Sequence, residues 1–178
     1  MKYLSLLLIA SSAFFAGCAT RPSTRSLETV PSMDLDRFMG RWNVIAHVPN
    51  FLEKGKVATA DIYKRREDGR IDNIFVFRKG TIDAPEHRWN GIAWVVDPVS
   101  NARWKVRLIW PFTADYRILE LDSDYQWSVV SNGDGDLVWV LARSTSIPDP
   151  VYQSIVARIH QRGLDAAKLE LVPQRPSP

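Results

Sequence analysis

Residues 102–110, ARWKVRLIW, alternate: Arg103, Lys105 and Arg107 fall on one side, Trp104, Val106, Leu108 and Trp110 on the other. A period of two is the signature of a pleated strand with one wet face and one apolar face. The same pattern recurs over 40–48, 57–65, 70–78, 87–97, 115–121, 125–131 and 137–143. Between these stretches lie EDGR (67–70), DPVSN (97–101), PFTAD (111–115), DSD (122–124) and NGDGD (132–136), all rich in residues that tolerate turn geometry. Evenly spaced short strands with such punctuation belong to an antiparallel barrel or a sandwich. About eight strands is the number at which a barrel interior either just fills with side chains or holds one small ligand.

If the strands form a meander, each reverses the direction of the one before. Trp42 near the start of the first strand and Arg143 at the end of the last then meet at one end of the barrel. Parity agrees, since Trp42, Val44 and Ala46 share one face while Leu137, Trp139, Leu141 and Arg143 share another. An inward Arg needs a partner, and stacking on an indole supplies one worth roughly 0.5–2 kcal/mol. Gly40 lets the chain turn from MDLDRF into the first strand without a Cβ clash.

After the strands, Asp149 is the expected N-cap with Pro150 at the first helical position. Val151, Ile155 and Ile159 follow at four-residue spacing, and Gly163 ends the helix. It is amphipathic and should pack on the outside of the barrel. A short last strand, 168–172, precedes a Pro-rich tail, 173–178.

The first 17 residues stand apart. Lys2 precedes the apolar run LSLLLIASSAFFAG, which is too short for a permanent membrane span but suits a secretory leader. Cys18 is the only cysteine, so no intramolecular disulfide can form. Residues 18–32, rich in Ser, Thr, Pro and Arg, read as a flexible tether, with the domain running from 33 to 172. The 23 basic and 20 acidic residues are interspersed, which argues against a nucleic-acid partner. With three His and no Ser-His-Asp or Cys-His set on converging strand ends, no catalytic group or metal site stands out, and no cofactor is called for.

Two resemblances sharpen this reading. Phe15-Ala16-Gly17-Cys18 resembles the bacterial lipobox, which implies that Cys18 is acylated and becomes the mature N-terminus; Ala19 after it implies sorting to the outer membrane, with the periplasmic side the expected face. Gly40-x-Trp42, the Asp122…Tyr125 turn and Arg143 resemble the three ordered motifs of the lipocalins. The second motif is usually written Thr-Asp-Tyr and here reads Leu121-Asp122-Ser123-Asp124-Tyr125. The lipobox together with WVLARS (139–144) is similar, more narrowly, to the bacterial outer-membrane lipoprotein lipocalins. The resemblance implies an all-β fold: an eight-stranded antiparallel up-and-down barrel, or calyx, with the C-terminal α-helix packed outside and a short final strand. In it Gly40, Trp42, Asp122, Tyr125 and Arg143 are structural.

The far end is then a mouth, ringed by loops near 48–56, 79–86, 111–115 and 132–136. Parity nominates Trp104, Val106, Leu108, Trp110, Tyr125, Trp127, Val129, Trp139 and Leu141 as inward residues, with Gly91, Ala93 and Val95, and Tyr116 offers a hydroxyl. The same side chains could instead fill a solid core. Lys54, Lys56, Lys79 and Arg88 lie near the mouth and could meet an anionic headgroup. The resemblance implies a carrier of fatty acids or lysophospholipids at the envelope; a structural or partner-binding lipoprotein with a filled barrel is the alternative. A homodimer stays open.

Overall fold

The computed structural model describes residues 25–175; the expected leader, Cys18 and the last three residues lie outside that range. Eight strands follow in chain order: β1 (Gly40–His47), β2 (Lys56–Arg65), β3 (Ile71–Lys79), β4 (His87–Val95), β5 (Arg103–Ile109), β6 (Phe112–Leu121), β7 (Trp127–Ser131) and β8 (Val138–Ala142). Each pairs antiparallel with the next, and β1 pairs with both β8 and β2, so the sheet closes on itself. Closure removes most of the free edge, and the alternation of each strand becomes an inside and an outside.

The seam between β1 and β2 is short. It runs from Gly40↔Tyr63 to Asn43↔Ala60, after which the strands part. The last strand, β9 (Glu170–Leu171), takes the freed edge of β1 at Ala46 and His47. The residues after it continue the repair. Pro173 accepts a hydrogen bond from the Ala58 amide at 2.7 Å, and the Gln174 side-chain amide donates to the carbonyls of Val44 and Thr59 at 2.6 and 3.1 Å. Residues 173–175, expected to trail as a tail, therefore stitch the seam.

Helix α2 (Asp149–Gln161) packs outside, burying Ile155 and Ile159 against Ala46, Leu119, Val129 and Val140. It begins one residue earlier than expected: Pro148 is the residue before the first turn, no side chain caps it, and Asp149 supplies a favourable charge at the helix N-terminus. Its other end closes as expected. Gly163 (φ 73°) turns left-handed, its amide donates to His160 and the Leu164 amide donates to Ile159, the paired bonds of a Schellman motif. Glu120 on β6 fixes the helix to the barrel through Arg158 (2.7 Å) and Arg162 (3.0 Å).

Residues 25–32 do not hang free as a tether would. The Ser26 amide donates to Arg162, the Val30 amide to Ile118, and Arg25 pairs with Asp136. MDLDRF also contains a helical turn, α1 (Leu35–Phe38), capped by the Asp34 carboxylate, which accepts from the amides of Asp36 and Arg37.

Candidate functional site

The closed end is built from aromatics. Trp42 is fully buried, and its indole N–H donates to the Phe38 carbonyl at 2.8 Å. The Arg143 guanidinium lies 3.8 Å over the Trp42 ring and spends its N–H groups on the carbonyls of Arg37 (2.7 Å), Arg41 (2.9 Å) and Tyr125 (3.3 Å). Burial lowers its pKa, so stacking and carbonyl bonds stand in for the lost water. Gly40, at φ 96°, adopts a backbone open to glycine at no cost, and a Cβ there would sit 3.4 Å from the Arg143 guanidinium. Phe38 packs on Trp42 (4.8 Å between centroids), Tyr63 (5.8 Å) and edge-on to Trp104 (5.5 Å).

The Asp122 carboxylate accepts from the amides of Asp124 and Gln126, holding the turn in which Tyr125 takes a left-handed φ of 60°. The Tyr125 hydroxyl accepts from the Asp34 amide at 2.7 Å and its ring lies 4.1 Å under the Arg37 guanidinium. Tyr125 thus ties α1 beneath the floor and does not enter the interior.

Above the floor is a cavity of about 540 Å³, within the roughly 300–1,000 Å³ usual for small-molecule sites. Of the expected inward residues, Val106, Leu108, Tyr116 and Trp139 line it. Leu141, Ala93 and Val95 also point inward, into the packing near the floor. Besides Tyr125, four do not behave as expected. Trp104 faces inward but is fully buried in the floor, stacked on Tyr116 at 5.5 Å, below the open space. Trp110 is 79% exposed, because the β5–β6 connection is a tight two-residue tip at Trp110-Pro111 and β6 already begins at Phe112; Trp110 has left the pleat. Trp127 and Val129 face outward beneath α2, with Arg158 5.1 Å over the Trp127 ring. Gly91 pairs opposite Asn73 on the inner wall, yet its lack of a side chain serves the close approach of β5: a Cβ there would lie 2.6 Å from the Arg107 carbonyl oxygen.

Six further residues of the wall were not singled out from sequence: Asp61, Tyr63, Asn73, Phe75, Val130 and Leu137. Asp61 is the unusual one. Burial, reinforced by the Glu53 carboxylate, pushes its pKa up to about 7, against the pull of a hydrogen bond from Tyr63. The hydroxyls of Tyr63 and Tyr116 bond to each other at 2.8 Å, and burial raises both pKa values well above the ordinary tyrosine range. At the mouth Phe51 and Phe112 stand 84% and 76% exposed.

None of the four cations near the mouth lines this cavity. Lys54 and Lys56 line a side pocket of about 470 Å³ between the mouth loop and β9, which shares Asn50, Phe51 and Glu53 with the main cavity. The Lys56 ammonium donates to the Leu52 carbonyl and lies 4.9 and 4.7 Å over the rings of Phe77 and Trp89. Burial lowers its pKa. Lys79 is exposed at the end of β3, and Arg88 pairs with Glu86 at 2.8 Å.

Comparison with known proteins agrees with this architecture. A family model described as a lipocalin-like domain matches residues 33–174. The outer membrane lipoprotein Blc of Escherichia coli K12 is 29% identical over 178 residues, covering 98% of each chain, and temperature-induced lipocalin-1 of Arabidopsis thaliana is 30% identical over 163 residues, covering 86% of each. Among solved structures, lobster apocrustacyanin A1 superposes with a TM-score of 0.65 at 14% identity, over 80% of each chain, a likeness of fold alone. Closed barrel, arginine-capped floor, outer helix and family match lead to one assignment: the chain belongs to the lipocalin family.

Proposed function

We propose that this protein is a lipid-anchored envelope lipocalin that binds fatty acids or lysophospholipids in its calyx and stores or transports them. The observation that carries the reading is the cavity itself. About 540 Å³ of space, walled by Phe75, Val106, Leu108 and Trp139 and opening past exposed Phe51 and Phe112, fits an acyl chain that enters tail first. A filled barrel has no such volume, so the carrier is favoured over a purely structural lipoprotein. The anchor is an acylated Cys18. Its support is the lipobox resemblance together with the names of the relatives, outer membrane lipoproteins from Escherichia coli and Vibrio cholerae. The mouth cations Lys54 and Lys56 are the headgroup candidates that border the opening, through the side pocket.

The test is lipid extraction from protein purified out of its native envelope, with a fluorescence titration beside it. Trp139 lies in the cavity wall, so a long-chain fatty acid or lysolipid should quench tryptophan emission at about one molecule per barrel, and Trp139→Phe should remove most of the change. No co-extracted lipid and no saturable quenching defeats the reading.

A further inference from the structure

The deep half of the cavity carries hydrogen-bond acceptors and negative charge where a tail-first ligand needs only hydrocarbon. On the β2–β3 ladder Asp61 lies opposite Phe75 and Tyr63 opposite Asn73, which makes Asp61 and Asn73 diagonal neighbours on the inner wall, about 7 Å apart. Asn73 is only 4% exposed, and its Oδ1 accepts no hydrogen bond. A buried acceptor left open is costly, and natural proteins rarely leave one without a ligand or water to fill it. Asp61 takes a hydrogen bond from Tyr63 but has no counter-ion: among the described residues no Lys, Arg or His forms an ion pair with it. The other two carboxylates of the wall are provided for. Glu53 lies 3.1 Å from His47 and accepts the Trp139 indole N–H at 2.7 Å, and Asp115 pairs with Lys105 at 3.0 Å. The cavity wall includes no Lys, Arg or His at all.

What completes such a wall is a group with several donors and a positive charge. A primary ammonium has three N–H donors and one charge, enough for the Asp61 carboxylate, Asn73 Oδ1 and one tyrosine oxygen. A carboxylate in the same place meets Asp61 and Glu53 as like charges in a low-dielectric interior. We propose that the deep end of the calyx is a subsite for the ammonium end of a long-chain amine or amino-headed amphiphile, with Asp61 as its counter-ion and Asn73 Oδ1 as a second acceptor. The proposal rests on reading the barrel as an open ligand cavity and adds the polarity of its buried end. The titratable groups facing the subsite are Asp61 and Tyr63 from β2, Tyr116 from β6 and Glu53 from the loop before β2. Ionised Asp61 is the form that holds the cation, so affinity for an amine rises with pH while that for a fatty acid falls.

Three ligands of one chain length separate the cases: dodecylammonium, dodecanol and dodecanoate, each titrated below its micellar concentration into the full mature chain with tryptophan emission and calorimetry as readouts. At pH 8 dodecylammonium should bind at least tenfold more tightly than dodecanoate and should weaken severalfold at pH 5.5. Asp61→Asn should cost the ammonium at least tenfold and leave dodecanol within threefold; Asn73→Ala, which keeps the charge, should cost the ammonium about threefold. Dodecanoate binding as tightly as dodecylammonium to the unaltered protein, or ammonium affinity untouched by both substitutions, overturns the subsite and leaves the calyx standing. If none of the three binds, the calyx reading falls and takes the subsite with it.

Discussion

Replacing Asp61 by Asn tests the electrostatics of the inner wall without any ligand. The Asp61 carboxyl titrates near 7 in the folded protein against an ordinary value of 3.8, a rise of roughly three pKa units. At about 1.36 kcal/mol per unit, ionising it in place costs the fold up to about 4 kcal/mol. The sign follows from which state holds the proton. Below pH 3.8 the group is protonated folded and unfolded alike, and its favourable share is fully present. Between 3.8 and 7 the unfolded chain releases the proton while the folded one keeps it, so stability is lost as pH rises, and above 7 the loss is complete. From pH 5 to pH 8 the wild type should therefore lose about 2–3 kcal/mol that Asp61→Asn does not, an upper figure because the cavity opens to solvent at its mouth. Urea unfolding of both proteins at the two pH values, read as the difference of differences, cancels every other titrating group. If the wild type and the variant change in parallel, Asp61 is not held in a poorly solvated wall, and the argument for an ammonium subsite loses its electrostatic half.

Other substitutions test the frame around the cavity. Trp42→Ala removes a fully buried indole, its hydrogen bond to Phe38 and the platform under Arg143, and should cost about 3–5 kcal/mol in chemical denaturation; an unchanged midpoint would refute the plug. Gly91→Ala places a Cβ 2.6 Å from the Arg107 carbonyl oxygen and 2.8 Å from the Leu108 Cα, so β4 and β5 must separate, at about 1–3 kcal/mol; a thermal midpoint equal to wild type would show that the two backbones lie further apart. Trp110→Lys, at an exposed hairpin tip outside the cavity wall, should leave stability within about 0.5 kcal/mol and ligand affinity within about twofold, and a large loss of affinity would place the indole over the mouth.

Where the sequence was legible, one face of a strand was wet and the other dry. β5 is such a strand as far as Leu108, and its inner face read correctly. β8 is buried on both faces, with Val138, Val140 and Ala142 under α2, and its inner face was legible only through the return of Arg143 to Trp42. β7 was misread by one residue for two reasons. Tyr125 sits in a left-handed turn that resets the alternation before the strand begins, and α2 covers the outer side, so Trp127 and Val129 are apolar without facing the interior. Apolar on both sides, a strand offers periodicity nothing to choose between. β2 hid the most telling residue by the opposite route. In ATADIY the apolar Ala60 and Ile62 compete for the inside with Asp61 and Tyr63, and a rule that sends hydrocarbon inward picks the wrong set. The seam repair by Pro173 and Gln174 depends on β1 and β2 parting after Asn43, a property of the closed sheet with no local signature.

That failure on β2 bears on function. A strand that turns an Asp inward and leaves Ile62 on the other face forgoes hydrophobic burial at that position and accepts the cost of a poorly solvated carboxylate. The structure also holds the acceptors still. Tyr63 packs edge-on to Trp104 at 5.3 Å and against Phe38, and its hydroxyl is bonded to Tyr116, itself stacked on Trp104. The aromatics that seal the floor are therefore the ones that orient the hydroxyls above it, so the plug and the subsite are a single packed unit. It follows that loosening the floor should degrade selectivity before it degrades capacity. A partial truncation such as Phe38→Leu, mild enough to leave the barrel folded, should narrow the difference between dodecylammonium and dodecanol while both still bind. If that difference survived a loosened floor, the orientation of Tyr63 and Tyr116 would have to come from the barrel wall alone.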